Sequence, residues 1–295
     1  MAKGRIVKVV SNFYWVDTGT VVVPCKPRGL FKKKGLTPMV GDWADFELPE
    51  KESDNGWITG IHPRRNALLR PPVANMDQAV LVFSLADPPL HLTLLDRFLV
   101  QVEWAGLTAL LCLSKWDLCT DEAAAHRVLQ LYQGIGYPIF AVSARTGEGL
   151  TPLRDSMKGK SSVFAGQSGV GKSSLLNRLV PAAQLRTGDV SEKLGRGRHT
   201  TRHVELLRLD EESYVVDTPG FSQLDFTEQG LEELAQAFPE FRQLEDECRF
   251  RGCTHLKEPS CAVKTAVEAG RVAASRYQHY RQFADEIREK LKRRY

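Results

Sequence analysis

Eight residues past the middle of the chain, Gly166-Gln167-Ser168-Gly169-Val170-Gly171-Lys172-Ser173, match G-x-x-x-x-G-K-[ST] at every fixed position. This pattern limits the fold more than any other feature, because it works only between a buried strand and a helix. A strand over Ser162–Ala165 and a helix over Ser174–Leu179 are predicted on either side. Glycines let backbone N–H groups converge on phosphate oxygens without a Cβ in the way. The helix N-terminus adds positive potential. Lys172 is expected to reach the β- and γ-phosphates, and the Ser173 hydroxyl to bind Mg²⁺. Residues Gly166 to Ser173, with Ser174 behind them, are therefore candidate nucleotide ligands.

The pattern around this loop fits. Gln78–Leu85 and Leu107–Leu113 are continuous apolar runs, as strands buried on both faces show. Ile139–Val142 is a third strand, and Val204–Leu209 with Tyr214–Val216 forms a hairpin about the charged turn 210–213. Helices are predicted over Leu94–Ala105 and Glu122–Ile135. Alternating strands and helices imply an α/β P-loop domain over residues 71–225. Before it, Arg70-Pro71-Pro72 reads as a linker. Residues 1–70 read as β, with runs Arg5–Asp17, Thr20–Pro24, Val40–Leu48 and Trp57–His62; an OB-like β-barrel is expected. Its basic loop holds Lys26, Arg28, Lys32, Lys33 and Lys34 around Phe31, cations for phosphates and a ring for a base. Residues 226–295 read as helical. Their last helix, about Ala274 to Lys292, sets Tyr277, Tyr280, Ala284, Ile287 and Leu291 on one face.

Asp217-Thr218-Pro219-Gly220 closes the Tyr214–Val216 strand, 45 residues after Lys172. An acid there can hold Mg²⁺ through water, and the Gly220 N–H can meet a γ-phosphate. Between the two lies Gly195-Arg196-Gly197-Arg198-His199-Thr200-Thr201. Thr200 or Thr201 is expected to close over Mg²⁺ in the triphosphate state. Phe221 follows Gly220, and a phenyl ring cannot orient water. Slow intrinsic turnover is expected, with His199 the candidate to position the attacking water, beside Lys172, Thr200, Thr201 and Gly220.

Ser114-Lys115-Trp116-Asp117 follows the Leu107–Leu113 strand and resembles the guanine-reading N-K-x-D element of GTPases. A carboxylate at Asp117 accepts from the guanine N1–H and 2-amino group, and adenine would leave it unpaired. Ser143-Ala144-Arg145 resembles the S-A-[KR] element, whose backbone N–H can meet guanine O6. Ser114 stands where asparagine is usual, and its shorter side chain makes fewer bonds to the phosphate loop. The base-reading elements precede the phosphate loop, the reverse of the usual order. The same sheet can form with its chain ends moved to another loop, a circular permutation.

Cys248, Cys253, His255 and Cys261 have the spacing C-x₄-C-x-H-x₅-C. Three thiolates and an imidazole match one structural Zn²⁺ with no open position. The segment around them is short and polar, so metal would stabilise it. Cys25, Cys112 and Cys119 are scattered, and Cys112 reads as core.

The 295 residues are 42% hydrophobic and 26% charged, a globular composition that excludes disordered and fibrous classes. No apolar run approaches the ~20 residues of a membrane helix. No signal-peptide core opens the chain, so a cytoplasmic protein with reduced thiols is expected. The net charge of +4 is unevenly spread. Residues 1–70 carry twelve basic and seven acidic side chains, 271–295 eight and three, and 226–270 five and nine. Basic ends suggest a polyanion such as nucleic acid.

A β-barrel, a permuted GTPase order and a cysteine–histidine cluster together resemble the RsgA (YjeQ/YloQ) family over nearly the whole chain. The resemblance implies a GTP hydrolase, cycling between GTP and GDP, that acts in late assembly of the small ribosomal subunit and is stimulated by it. The barrel and zinc module would contact ribosomal RNA and protein, and the chain would act as a monomer. The family's G-x-G-x-H-T-T pattern matches around His199. Three other readings stand beside this one: an ATP-dependent P-loop enzyme, a GTPase acting on another RNA particle, and an RNA-binding module with weak nucleotide hydrolysis.

Overall fold

The computed structural model describes residues 1–29, 31, 37–49, 55–69, 72–180, 204–217, 226 and 230–293. Five strands, β1 (Ala2–Val10), β2 (Phe13–Asp17), β3 (Val22–Pro27), β4 (Trp43–Glu47) and β5 (Gly56–Ile61), close a barrel in the order β1-β2-β3-β5-β4. All neighbours are antiparallel except β3 and β5. This is the OB order. The run Arg5–Asp17, expected as one strand, folds back at Ser11-Asn12 into two, with Ser11 at φ 55°. Ile6, Val16, Phe46 and Ile58 fill the barrel, and the period-2 alternation of these strands turns them inward.

Phe31 departs from expectation: it packs against the barrel core rather than standing free in its loop. Arg28 pairs with Glu47 at 2.5 Å, and the Lys26 ammonium lies 4.9 Å from the Phe13 ring. The exposed rings of the barrel are Trp43 and Trp57 instead.

Pro72 of the predicted linker opens β7 (Pro72–Ala74), which pairs antiparallel with β6 (Ala67–Leu69); Arg70 and Pro71 lie outside the described residues. Val73 bridges to Val40, so the hairpin is stitched to the barrel. The barrel also docks on the central sheet. The buried Arg5 donates to Ser161 Oγ (2.6 Å) and the Asn75 carbonyl (3.0 Å), and the Tyr214 hydroxyl lies 3.1 Å from Asp17 Oδ2.

The sheet has six strands in the order β10-β9-β8-β11-β13-β12. These are β8 (Gln78–Ser84), β9 (Thr108–Ser114), β10 (Ile139–Ala141), β11 (Ser161–Ala165), β12 (Leu206–Arg208) and β13 (Tyr214–Asp217). All pairs are parallel except β12–β13. Helices α1 (Leu92–Trp104) and α2 (Glu122–Ile135) cover one face, and α3 (Leu150–Asp155) and α4 (Lys172–Leu179) the other. Every residue of β8 is buried, as a strand covered on both faces must be. The parallel strands all end on one edge, where loops can converge on a ligand.

The C-terminal segment contributes α5 (Leu231–Gln236), α6 (Pro239–Arg242), α7 (Ala262–Glu268) and α8 (Ala274–Arg293). Its core extends onto α1 through Val100 and Trp104. On α8, Tyr280, Ala284 and Ile287 are buried and Tyr277 is partly so, but Leu291 is exposed. Arg276 was not expected inside. It is 1% exposed and ion-paired to Asp96 of α1 (2.6 Å) and Glu240 of α6 (2.7 Å). Asp96 also receives Tyr132 (2.6 Å) and His279 (2.5 Å).

Candidate nucleotide-binding site and metal centre

The phosphate loop leaves β11 at Gly166 and enters α4 at Lys172. Gly166 has φ 146°, and a Cβ on it would stand 2.2 Å from the Val82 carbonyl oxygen, so only glycine lets the loop pass this close to β8. Lys172 Nζ donates to the carbonyls of Gly166 (2.8 Å) and Gln167 (2.7 Å), arching over its own loop. Gly171 caps α4, and Ser173 and Ser174 lie in its first turn. The first-turn N–H groups of a helix have no carbonyl of the same helix to meet, and such a terminus stabilises an anion. Val170 is buried against the sheet.

Ser114 closes β9 and is 1% exposed. Its hydroxyl reaches the Val170 carbonyl (2.5 Å) and the Phe83 carbonyl (3.1 Å). The serine thus makes the bond to the phosphate loop that its short side chain put in question. Lys115 adopts left-handed backbone (φ 56°) and donates to the Asp87 carbonyl in the loop after β8. A Cβ at Gly171 would stand 3.9 Å from the Lys115 Cε. The residues that precede Asp117 therefore already touch the phosphate loop and its neighbour.

Asp117 lies in a short 3₁₀ turn, Trp116–Leu118, with its side chain 9% exposed. One carboxylate oxygen accepts from the Ser143 hydroxyl, the other from Arg145 Nε at 2.7 Å. The Ser143 hydroxyl, and after it the guanidinium, hold the carboxyl below its ordinary value. Ionised, it can accept further donors, as a guanine N1–H and 2-amino group would supply. The turn Ser143-Ala144-Arg145 is itself fixed. Gly147 N–H donates to the Ser143 carbonyl (2.9 Å) and Thr146 N–H to its hydroxyl (3.1 Å). Two contacts escaped sequence reasoning: the Arg145–Asp117 ion pair, and Arg178 of α4, which donates to the carbonyls of Ala144 (2.7 Å) and Arg145 (3.0 Å). No short motif marks Arg178; only the geometry shows it.

Asp217 ends β13 beside the phosphate loop, its backbone in register with Phe164 of β11. His199, Thr200, Thr201 and Gly220 lie outside the described residues.

Cys248, Cys253, His255 and Cys261 converge, their donor atoms all within 4.8 Å of one another. His255 Nδ1 is 3.7 Å from Cys248 Sγ and 3.3 Å from Cys261 Sγ. A zinc tetrahedron has edges of about 3.5–3.8 Å, so the donor set fits. Burial pushes the Cys253 thiol up to about 12 and the Cys261 thiol upward, and lowers His255. A neutral imidazole among crowded thiols suits a dication that takes them as thiolates. Glu258 ties the loop, accepting from the N–H groups of Thr254 (3.0 Å), Leu256 (2.8 Å) and Lys257 (3.0 Å). Tyr277 and Tyr280 of α8 donate to the carbonyls of His255 and Thr254. Cys25 and Cys112 are buried core thiols.

Among the described residues, no helix is long and apolar enough to cross a membrane. A sequence model described as RsgA GTPase matches residues 61–227, and one described as RsgA N-terminal domain matches 3–58. The small ribosomal subunit biogenesis GTPase RsgA of Shouchella clausii is 49% identical over 100% of both chains. That of Geobacillus kaustophilus is 49% identical over 99% of this chain and 100% of its own. The crystal structure of YloQ, a circularly permuted GTPase, superposes with TM-score 0.85 at 39% identity, covering 98% of this chain and 96% of that one. YjeQ from Thermotoga maritima superposes with TM-score 0.85 at 38% identity, over 97% and 98%.

Proposed function

This chain belongs to the RsgA GTPase family, and we propose from that premise that it hydrolyses GTP to GDP and phosphate on the small ribosomal subunit late in that subunit's assembly. One observation carries the nucleotide reading: Asp117 stands with both oxygens held, beside a phosphate loop to which Ser114 is bonded. The names of the full-length relatives support the choice of particle.

Lys172 and the N–H groups of Gly166 to Ser174 hold the phosphates. Asp117, Lys115 and the Ala144 N–H read the base. Ser173, Asp217 and Thr200 or Thr201 would hold Mg²⁺, which neutralises charge on the β- and γ-phosphates when bound. His199 positions the attacking water, since Phe221 cannot. Turnover is slow alone and rises when the subunit orders the site. The cysteine–histidine cluster would hold one structural Zn²⁺.

The functional units are residues 1–70, 71–225 and 226–295, working as a cytoplasmic monomer. The barrel meets ribosomal RNA through Lys26 and the exposed Trp57, a cation and a ring in register on neighbouring strands β3 and β5. GTP orders the switch segments and sets the C-terminal unit for binding; hydrolysis loosens them and the protein leaves.

Co-sedimentation with purified subunits tests this. In the presence of a GTP analogue that resists hydrolysis, the protein should pellet with the small subunit, and GDP should release it. Equal binding in both nucleotide states would sink the switch, and preference for another RNA particle would reassign the partner.

A further inference from the structure

We propose that Arg178 is a positioning residue for guanine recognition: from the phosphate-loop helix it grips the base-reading turn and holds the two halves of the nucleotide site in register. This rests on the guanine reading of Asp117 and Ala144.

Arg178 lies in the last turn of α4, whose first turn carries Lys172 and Ser173. Its planar guanidinium presents parallel donors, and these meet two successive carbonyls, Ala144 through Nε at 2.7 Å and Arg145 through Nη2 at 3.0 Å. Lysine, a point charge, cannot span two carbonyls in this fixed geometry. In a trans peptide the C=O and N–H point opposite ways, so holding the oxygens fixes the planes of the 144–145 and 145–146 peptides. The 143–144 plane is set by Gly147 N–H on the Ser143 carbonyl. The Ala144 N–H, the donor expected at guanine O6, lies in that plane, and Arg178 holds the plane that follows, so the turn cannot rotate about Ala144.

The same grip reaches Asp117. Arg145 pairs with Asp117 by its side chain while its own carbonyl is held by Arg178. Leu175, Leu176 and Leu179 bury α4 against the sheet, so the helix is a rigid bar. Its N-terminal end serves the phosphates and its C-terminal end the base turn. Ser114 on Val170 ties the phosphate loop to the Asp117 segment by a separate route. Base and phosphate contacts are thus pre-aligned before a nucleotide arrives, which lowers the ordering cost of binding.

Arg178 is exposed, and water can take over the two carbonyls, so its removal leaves the fold intact. The test is titration of GDP and ADP against the full-length protein, Arg178→Ala and Arg178→Lys. In the parent, GDP should bind far more tightly than ADP. Arg178→Ala should weaken GDP about tenfold, the worth of roughly one hydrogen bond, and leave ADP unchanged, since adenine's 6-amino group gains nothing from the Ala144 N–H. Arg178→Lys should fall between. GDP affinity within about twofold of the parent, or equal losses for GDP and ADP, would overturn the positioning role. A parent that binds ADP as tightly as GDP would overturn the guanine reading itself, whatever Arg178 does.

Discussion

The Ser114 hydroxyl lies 2.5 Å from the carbonyl oxygen of Val170, joining the segment that reads the base to the loop that holds the phosphates. The two are 56 residues apart: Ser114 ends β9 and Val170 lies in the loop after β11, with β8 between those strands. Because Ser114 is buried, its removal leaves the Val170 carbonyl without this donor. Ser114→Ala should weaken GDP binding by about 1–3 kcal/mol, measured by calorimetric titration. Unchanged affinity would mean that the phosphate loop needs no such tie.

Asp117 makes guanine binding insensitive to mild acid. Its carboxyl is held below the ordinary value by Ser143 and then Arg145. A carboxylate lowered in the folded state stays ionised down through the unfolded value near ~3.9. Its contribution is present above that pH and is lost only below it. The ratio of GDP to ADP affinity, in which the titration of the phosphates near pH ~6 cancels, should therefore be flat from about pH 8 to about pH 5, and Arg145→Ala should move its acid limb upward. A parent midpoint above about pH 5 would contradict this.

Much of the architecture was legible in the sequence because its strands are long apolar runs and its loops carry obligatory glycines. β8 and β9 were readable from burial alone, and the phosphate loop from its spacing. What escaped has a common cause. Phe31 packs inward and Leu291 outward because tertiary contacts, not periodicity, decide the end of an element. Arg5, Arg178 and Arg276 meet partners between 33 and 180 residues away, and no local pattern announces such contacts. The split of Arg5–Asp17 turned on Ser11 taking a left-handed conformation that serine seldom adopts.

The buried Arg276 locks the C-terminal segment to α1. Replacing it with methionine fills most of the volume but removes the cation that offsets the carboxylates of Asp96 and Glu240, leaving Asp96 to Tyr132 and His279. Arg276→Met should cost about 3–5 kcal/mol in urea unfolding. A loss below about 1 kcal/mol, the scale of a surface pair, would show that the network is not holding the two units together.

Elemental analysis of protein purified without chelator should give one zinc per chain. Chelation should lower the melting temperature and change the near-ultraviolet signal of Tyr277 and Tyr280, whose hydroxyls hold the ligand loop to α8. Cys261→Ser should do the same. Protein that lacks zinc and melts unchanged with chelator would refute a structural metal.

The account stands most directly on GTP turnover by the purified protein, alone and with small or large ribosomal subunits, with ATP as control. It predicts slow hydrolysis of GTP alone, strong stimulation by the small subunit only, and no use of ATP. Turnover that neither subunit changes would contradict the ribosomal role, and equal use of ATP would contradict the reading of Asp117.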